Sequence, residues 1–315
     1  MIKTPLCDLL GIEYPILQGG MAWVADAKLA ASVSNAGGLG IIAAGNAPAD
    51  YVRKEIQKAK MLTDKPFGVN VMLLSPFVEE VASIVAEEKV AVVTTGAGNP
   101  GKYMKPWLAA GIKVIPVVPS TAFAKLFERA GASAVIAEGG ESGGHVGDVT
   151  TMTLVPQVVD TVSIPVIAAG GIGDGRGIAA SLMLGAVGVQ VGTRFLVAEE
   201  CSIHRNYKDM VLQAKDISTI STGKRLGHPV RAFKTAFSKT FFSKEYDPTV
   251  TNEELEKFGE GALRLAVVEG DELRGCFMAG QIAGLVNKEQ TAKEIIQEMF
   301  CEAETLLNGA TKWVK

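Results

Sequence analysis

Short apolar runs alternate with longer segments of mixed polarity between residues 15 and 195 of the chain. The apolar runs are rich in Val and Ile and end in Gly, Pro, Asn or Ser, a pattern typical of strands buried on both faces of a parallel sheet. The segments between them repeat their apolar positions with a helical period. The eight strand candidates are Pro15–Gln18, Leu39–Ala43, Phe67–Leu73, Val90–Thr94, Lys113–Val118, Ala134–Glu138, Pro165–Ala169 and Val187–Val191.

Eight strand candidates that alternate with helices favour an α/β fold of the (β/α)8 TIM barrel class. A doubly wound open sheet is the alternative. The apolar stretch Ile178–Ala198 contains Gln190 and Arg194, so buried strands explain it better than a membrane span does. The predicted helices start near Asp26, Pro48, Pro76, Pro100, Thr121, Thr153 and Asp174, and after residue 198.

The alternation stops at residue 200, where charge clusters and Phe-rich patches replace it. We therefore predict a barrel over residues 1–199 and an inserted substrate or lid subdomain over residues 200–275. Residues 276–315 are predicted to form a Gly-containing turn and an amphipathic helix that return to the barrel.

Composition narrows the class of protein. The 31 basic and 34 acidic residues give a net charge of −3, so no global basic field indicates nucleic acid or a membrane surface as partner. The four cysteines form no CxxC pair and the N-terminus has no signal-peptide pattern, which favours a reducing cytoplasm. Neither an HExxH motif nor a carboxylate cluster indicates a catalytic metal.

Glycine is abundant, with 35 residues in 315, and many glycines follow the strand candidates directly. In a barrel these strand ends share one face, and the loops after the last two strands commonly hold a phosphate. Gly170-Gly171 and Gly192-Thr193 occupy those loops, so we predict a phosphate site there. The GxGxxG match at residues 96–101 lacks the acidic residue that a dinucleotide site needs at the end of the next strand. Flavin mononucleotide (FMN) or a sugar phosphate is therefore the favoured ligand.

The loop after the sixth strand candidate, Glu138–Gly147, combines five glycines with a single histidine, His145. Because histidine titrates near neutrality, we predict that His145 donates or accepts a proton at the active face. Glu138 either hydrogen-bonds a ligand or forms a salt bridge at the mouth of the barrel. His204 and His228 lie in the irregular region and are predicted to be structural.

Several motifs together resemble the flavin barrel family that contains the nitronate monooxygenases and the flavin-dependent enoyl-acyl-carrier-protein reductases II. Within it, the segments at residues 73–77, 150–155 and 278–284 are more similar to the reductase branch. The resembling motifs are Gln18-Gly-Gly-Met-Ala-Trp23, Gly37-Gly-Leu-Gly-Ile-Ile42, Phe67-Gly-Val-Asn-Val71, Thr94-Thr-Gly-Ala-Gly98, Glu138-Gly-Gly-Glu-Ser-Gly-Gly-His145, Pro165-Val-Ile-Ala-Ala-Gly-Gly171 and Gln190-Val-Gly-Thr193.

The resemblance implies FMN as cofactor, NADH or NADPH as co-substrate, and His145 as the catalytic histidine. It implies that the flavin ring lies against the backbone of residues 20–22 and hydrogen-bonds Asn70 and Glu138. The implied cofactor residues are Gly20, Met21, Ala22, Asn70, Glu138, Gly143 of the histidine loop, Gly170, Gly171, Gly192 and Thr193 at the phosphate, and Gln281, which would close over the site.

The implied reaction is the reduction of the 2,3-double bond of a trans-2-enoyl thioester, carried by acyl carrier protein or CoA, in bacterial fatty acid elongation. His145 would stabilise the negative charge on the thioester oxygen or deliver a proton. A nitronate monooxygenase and a flavin-binding sensor without turnover are the alternatives. The resemblance also implies a homodimer.

A run of basic residues lies in the segment after the barrel. From Ile217 to Lys244 the chain contains six basic residues and no acidic residue. This segment is either a solvated basic face or a dock for an acidic carrier protein and the phosphates of its pantetheine arm. Arg225 and Arg231 are the predicted partner contacts.

Overall fold

The computed structural model describes residues 1–314, so Lys315, the last residue of the predicted C-terminal segment, lies outside the described residues. Eight parallel strands form one sheet in the order β1-β9-β8-β6-β5-β4-β3-β2, and a bridge between Leu17 and Leu39 brings its two edges together. The predicted TIM barrel is confirmed. The barrel strands are β1 (Ile16–Gln18), β2 (Gly40–Ala43), β3 (Phe67–Met72), β4 (Val92–Gly96), β5 (Lys113–Val118), β6 (Val135–Glu138), β8 (Val166–Ala169) and β9 (Gly188–Val191).

Helices surround the barrel, and their starts follow the capping pattern of the sequence. Asp26 caps α2 by accepting the Leu29 N–H, and Asp174 caps α8 by accepting the N–H groups of Arg176 and Gly177. The helices are α1 (Pro5–Leu10), α2 (Ala27–Asn35), α3 (Ala49–Leu62), α4 (Val78–Glu87), α5 (Gly101–Ala109), α6 (Thr121–Arg129), α7 (Thr151–Val159), α8 (Gly175–Met183), α9 (Arg205–Leu212), α10 (Ala236–Glu245), α11 (Asn252–Gly259), α12 (Ala262–Arg264) and α13 (Ala292–Asn308).

Apolar side chains fill both sides of the sheet, which is why the strands appeared as nearly continuous apolar runs. One buried cluster includes Leu17, Ile41 and Ile136, and a larger one includes residues of the surrounding helices such as Leu29 and Trp107. The fourth strand begins and ends two residues later than predicted, because Thr95 and Gly96 continue the pairing of β4 with β3.

The segment after the barrel contains regular structure that the sequence pattern did not reveal. Strands β10 (Thr219–Thr222) and β11 (Val230–Phe233) form an antiparallel hairpin, and β11 also pairs with β7 (Gly144–His145) of the histidine loop. A separate apolar cluster holds α10 and α11 together around Phe237, Phe241 and Leu255. The predicted three-segment division of the chain stays a prediction.

The C-terminal helix α13 packs mainly against α8 and also against α2, on the outside of the barrel. Gly175 allows this close approach, since a side chain there would lie 2.5 Å from backbone atoms of Met299 and Ala303. Within residues 1–314, no helix combines the length and the apolar character needed to cross a membrane.

Candidate active site

One cavity of about 560 Å³ opens where the carboxyl ends of the barrel strands meet the histidine loop. Most of the residues predicted from sequence line this cavity, although they come from distant parts of the chain. Those residues are Gly20, Met21, Ala22, Asn70, Glu138, Gly143, His145, Gly170, Gly171, Gly192 and Thr193.

The loops after β8 and β9 form a concave backbone surface at one end of the cavity. Gly170 and Gly171 both have left-handed backbones, with φ of 85° and 72°, a conformation that glycine adopts without strain. Outside the regular helix and strand ladders, the described hydrogen bonds leave the N–H groups of Gly171, Gly192 and Thr193 unused. Free N–H groups in such a loop are suited to an anion.

The loop after β1 lies close to the side chain of Asn70 on β3. A Cβ atom at Gly20 would stand 2.3 Å from the Asn70 Cβ, so this contact requires glycine. The Asn70 amide donates a hydrogen bond of 3.0 Å to the Thr94 hydroxyl, which fixes its direction. The backbone of residues 20–22 therefore forms a fixed wall of the cavity.

Glu138 ends β6 and lines the cavity, and its side chain is half-buried. Burial raises its pKa from 4.5 to about 7, because the charged carboxylate loses its hydration there. The nearby Ser142 opposes this rise, although its buried hydroxyl lies outside hydrogen-bond geometry with any described group. No ion pair involving Glu138 is present among residues 1–314, so the salt-bridge alternative for this residue is not realised there.

His145 is held in place by strand pairing. It lies opposite Val230 on β11, and the next residue, Val146, donates its N–H to the Pro229 carbonyl at 3.0 Å. On the other side, a Cβ at Gly143 would stand 2.6 Å from the carbonyl carbon of Ala279. The histidine loop is therefore packed between the hairpin and the turn before residue 281.

The His145 ring faces the cavity and a second imidazole. The centroid of the His228 ring lies 6.2 Å from that of His145. The His145 side chain is exposed, but the protein atoms around it displace part of its hydration. This desolvation, and secondly the charge of His228, lower the pKa of His145 below its ordinary value of 6.5. His145 can therefore exchange a proton near neutral pH from a defined position.

Three of the predicted residues do not line the main cavity. Gln281 and Arg231 line a smaller neighbouring cavity, and the predicted closure of Gln281 over the flavin stays a prediction. The Gln281 N–H donates to the Glu141 carbonyl at 2.9 Å, which holds the turn in this position. Arg225 lines neither cavity.

The guanidinium of Arg225 forms hydrogen bonds within residues 200–275. It donates to the backbone carbonyls of Glu245, Asp247, Val250 and Thr251 at 2.8–3.3 Å. These bonds tie the end of α10 to the start of α11, which gives Arg225 a structural task, and its predicted contact with a partner stays a prediction.

The model of the nitronate monooxygenase family matches residues 3–84 and 73–302. The chain belongs to the nitronate monooxygenase family. The solved structure of FabK from Thermotoga maritima is 48% identical and has a TM-score of 0.97, with 100% of each chain covered.

Curated relatives carry different activity names. A (3aS,4S,5R,7aS)-5-hydroxy-7a-methyl-1-oxo-octahydro-1H-indene-4-carboxyl-CoA dehydrogenase of Mycobacterium tuberculosis is 33% identical, covering 100% of this chain and 99% of its own length. A probable nitronate monooxygenase of Staphylococcus aureus is 37% identical over 78% of this chain and 82% of its own length. These names establish an oxidoreductase of the nitronate monooxygenase family, but they differ in the substrate.

The residues of this family member fit the flavin that the sequence implied. The glycine loops offer N–H groups for a phosphate, and the Gly20 wall lets backbone approach a flat ring. Ser142 adds a buried hydroxyl without a partner beside Glu138, as expected where a bound ligand would complete the hydrogen bonding. Among residues 1–314, no cluster of three His, Cys, Asp or Glu side chains could hold a metal.

Several residues that line the main cavity were not predicted from the sequence. His228 lies beside His145, and the buried Tyr207 hydroxyl, which donates to the Met278 carbonyl at 2.5 Å, forms part of the wall. Leu74 and Phe123 line the cavity while 64% and 41% exposed. For Tyr207 and His228, only the basic and aromatic character of residues 200–275 indicated such contacts, since the pairing that brings this segment to His145 has no local signal in the sequence.

Proposed function

We propose that the protein is an FMN-dependent enoyl-thioester reductase that uses NADH or NADPH. Its substrate would be a trans-2-enoyl chain on acyl carrier protein or CoA. The FMN and nicotinamide requirements, the substrate and the roles of the individual site residues are all part of this proposal.

The observation that carries the choice of substrate is the apolar rim of the cavity. Leu74 and Phe123 are both large apolar side chains that remain well exposed while lining the opening. Exposed apolar surface of this kind at a cavity mouth is typical of a binding site for apolar groups. An acyl chain would cover these side chains, whereas a small nitronate would leave them in water.

The relatives support the same class of substrate. The chain is 48% identical to FabK of T. maritima over the full length of both chains. The M. tuberculosis relative is named for a CoA derivative, which is a thioester carrier of the proposed kind.

The bound FMN would supply the hydride chemistry of the reaction. The N–H groups of Gly171, Gly192 and Thr193 would bind its phosphate, and Asn70 and Glu138 would orient its ring. Because the pKa of Glu138 is about 7, this carboxyl is partly protonated at neutral pH and can donate as well as accept a hydrogen bond.

His145 would act on the thioester. With a pKa below 6.5, it is mostly neutral at pH 7 and can donate an imidazole N–H to the thioester oxygen. That hydrogen bond would stabilise negative charge as it develops on the oxygen. In its protonated form the same side chain could deliver a proton to the α-carbon and return to the neutral imidazole. The strand pairing to Val230 would hold the backbone of His145 in position during this step.

Anaerobic spectroscopy on the purified yellow protein tests the proposal. We expect NADH or NADPH to bleach the flavin absorbance and crotonyl-CoA to restore it. A His145→Ala variant should keep its flavin and its bleaching but restore the colour at least about 100-fold more slowly, in line with the loss of one acid–base group. Bleaching that crotonyl-CoA does not reverse would contradict the proposal.

A nitronate monooxygenase is the second candidate, because the family model and the S. aureus relative carry that name. This activity would use the same cavity and His145. It predicts oxygen consumption with an alkyl nitronate and no need for a nicotinamide nucleotide, so an oxygen electrode separates the two candidates.

A further inference from the structure

A second cavity of about 200 Å³ lies beside the main one and shares part of its wall with it. The shared residues include Val146 and Pro229, whose backbones are hydrogen-bonded next to His145. A ligand in the main cavity could therefore extend one of its groups into the smaller cavity. Two basic side chains, Lys224 and Arg231, line this smaller space.

Ser221 and Arg231 face each other across the hairpin of β10 and β11. They are paired in register, which places their side chains side by side on one face of the hairpin. The Ser221 hydroxyl is buried and has no hydrogen-bond partner among the described residues. A buried hydroxyl without a partner carries a desolvation cost that a bound ligand would offset.

The Arg231 guanidinium keeps spare hydrogen-bond donors. Its Nε and Nη2 donate to the Gly140 carbonyl at 3.2 and 2.9 Å, and its Nη1 donates to the Thr219 hydroxyl at 3.4 Å. A guanidinium has five N–H groups, so two remain. No ion pair described among residues 1–314 engages Arg231 or Lys224.

Two carboxylates also line the smaller cavity, and they differ in the hydrogen bonds that they already accept. Glu141 accepts from the N–H and the hydroxyl of Thr151 at 2.9–3.1 Å, so its oxygens already have donors, and its charge acts on the Arg231 guanidinium. Asp148 is exposed on the loop and has no such contacts among the described bonds. Ser221 and the two basic side chains therefore supply the donors of the smaller cavity, and Asp148 is the carboxylate that would oppose an anion there without a hydrogen-bond partner of its own among the described residues.

We propose that this smaller cavity binds a phosphate group of a substrate. A phosphate has enough acceptor oxygens to take hydrogen bonds from the Ser221 hydroxyl, the spare Arg231 N–H groups and the Lys224 ammonium together. The identity of the molecule that bears the phosphate rests on the proposed function. It is either the nicotinamide nucleotide, through its 2′-phosphate, or the pantetheine arm of the thioester.

Calorimetry with inorganic phosphate tests the site without turnover. The flavin-loaded protein is used, since its flavin phosphate site is already filled. We expect Lys224→Met and Ser221→Ala each to weaken phosphate binding by about tenfold or more, and Asp148→Asn to strengthen it. Lys239→Met is the matched control, because Lys239 belongs to the same basic run but is exposed on α10 and does not line the cavity.

Steady-state kinetics then identifies the source of the phosphate. If it is the nucleotide, Lys224→Met raises KM for NADPH and leaves KM for NADH unchanged. If it is the thioester, the same variant raises KM for crotonyl-CoA and leaves KM for crotonyl-N-acetylcysteamine, which has no phosphate, unchanged. Either pattern supports the inference.

Two results would overturn it. One is the absence of phosphate binding to the wild-type protein, and the other is an equal loss in Lys224→Met and Lys239→Met, which would indicate a diffuse basic surface. Failure of the proposed function appears differently, as phosphate binding that depends on Lys224 in a protein that does not reduce enoyl thioesters.

Discussion

Two ionisable side chains on the walls of the main cavity have pKa values shifted from their ordinary values. Desolvation by surrounding protein atoms raises the pKa of Glu138 to about 7 and, together with the charge of His228, lowers that of His145 from 6.5. In both residues the charged form is the one that loses hydration, so the neutral form is favoured. Displaced pKa values at a cavity with convergent polar groups are typical of functional sites.

His228 provides a test of this electrostatic reading at the scale of single residues. Replacing it in His228→Gln removes the charge that lies 6.2 Å from His145, so the pKa of His145 should rise. The midpoint of the His145 titration, followed by NMR of its imidazole, should move to higher pH, and the pH profile of kcat/KM should move with it.

The control is His204→Gln, because the His204 ring caps α9 by accepting the Asn206 N–H and does not line the cavity. An unchanged titration of His145 in His228→Gln would show that the two rings do not interact.

At the scale of elements, the histidine loop is positioned by neighbours that are remote in sequence. Strand β7 pairs with β11, and Gly143 packs against the turn at Ala279. Both contacts involve backbone atoms, which cannot move aside as a flexible side chain can. The position of His145 therefore depends on the hairpin and on this turn together.

Gly143→Ala should disturb this arrangement. The added methyl group would stand 2.6–2.8 Å from backbone atoms of Ala279 and Gly280, so the loop must shift. We expect a loss of about 1–3 kcal/mol in the free energy of unfolding, measured by denaturation in urea. Gly96→Ala is the matched control, since Gly96 also lines the cavity but no heavy atom lies within 4 Å of its added Cβ.

Equal stability of the Gly143→Ala and Gly96→Ala proteins would contradict the packing described for the loop. A drop in the rate of thioester reduction that accompanies the stability loss only in Gly143→Ala would connect loop position with function.

At the scale of the whole molecule, the barrel gathers the site by placing the carboxyl ends of its eight strands on one face. The same closure buries the ends of strands such as β6, where Glu138 lies. A buried carboxyl with a raised pKa favours the folded state only while it is protonated. Its contribution is complete below about pH 4.5 and is lost as the pH rises toward 7.

This linkage gives a prediction for global stability. In flavin-free protein, the free energy of unfolding of the wild type relative to Glu138→Gln should fall by at most about 3 kcal/mol between pH 4 and pH 8, since one pKa unit corresponds to about 1.4 kcal/mol. Urea denaturation of both proteins across this range measures the difference. A difference that stays constant with pH would exclude a raised pKa for Glu138.

The barrel itself could be predicted from local patterns. Strands covered on both faces must be apolar at nearly every position, and the connecting helices need a helical apolar period and capping residues such as Asp26 and Asp174. The boundaries of β4 were less accurate, because Val90 and Ala91 are as apolar as the strand itself and the pairing with β3 decides where the strand ends.

The fold class and eleven residues of the cavity wall could be predicted from the sequence, because the ends of consecutive strands necessarily meet on one face of a barrel. Tertiary structure alone decided the surroundings of His145, since β7 and β11 are about 85 residues apart and their pairing leaves no periodic trace. Tertiary structure also decided which basic residues have hydrogen-bond donors left free. Arg225 binds carbonyls 20 to 26 residues away, whereas Arg231 keeps donors free. The position of a basic residue in the sequence does not reveal which acceptors the folded chain brings to it.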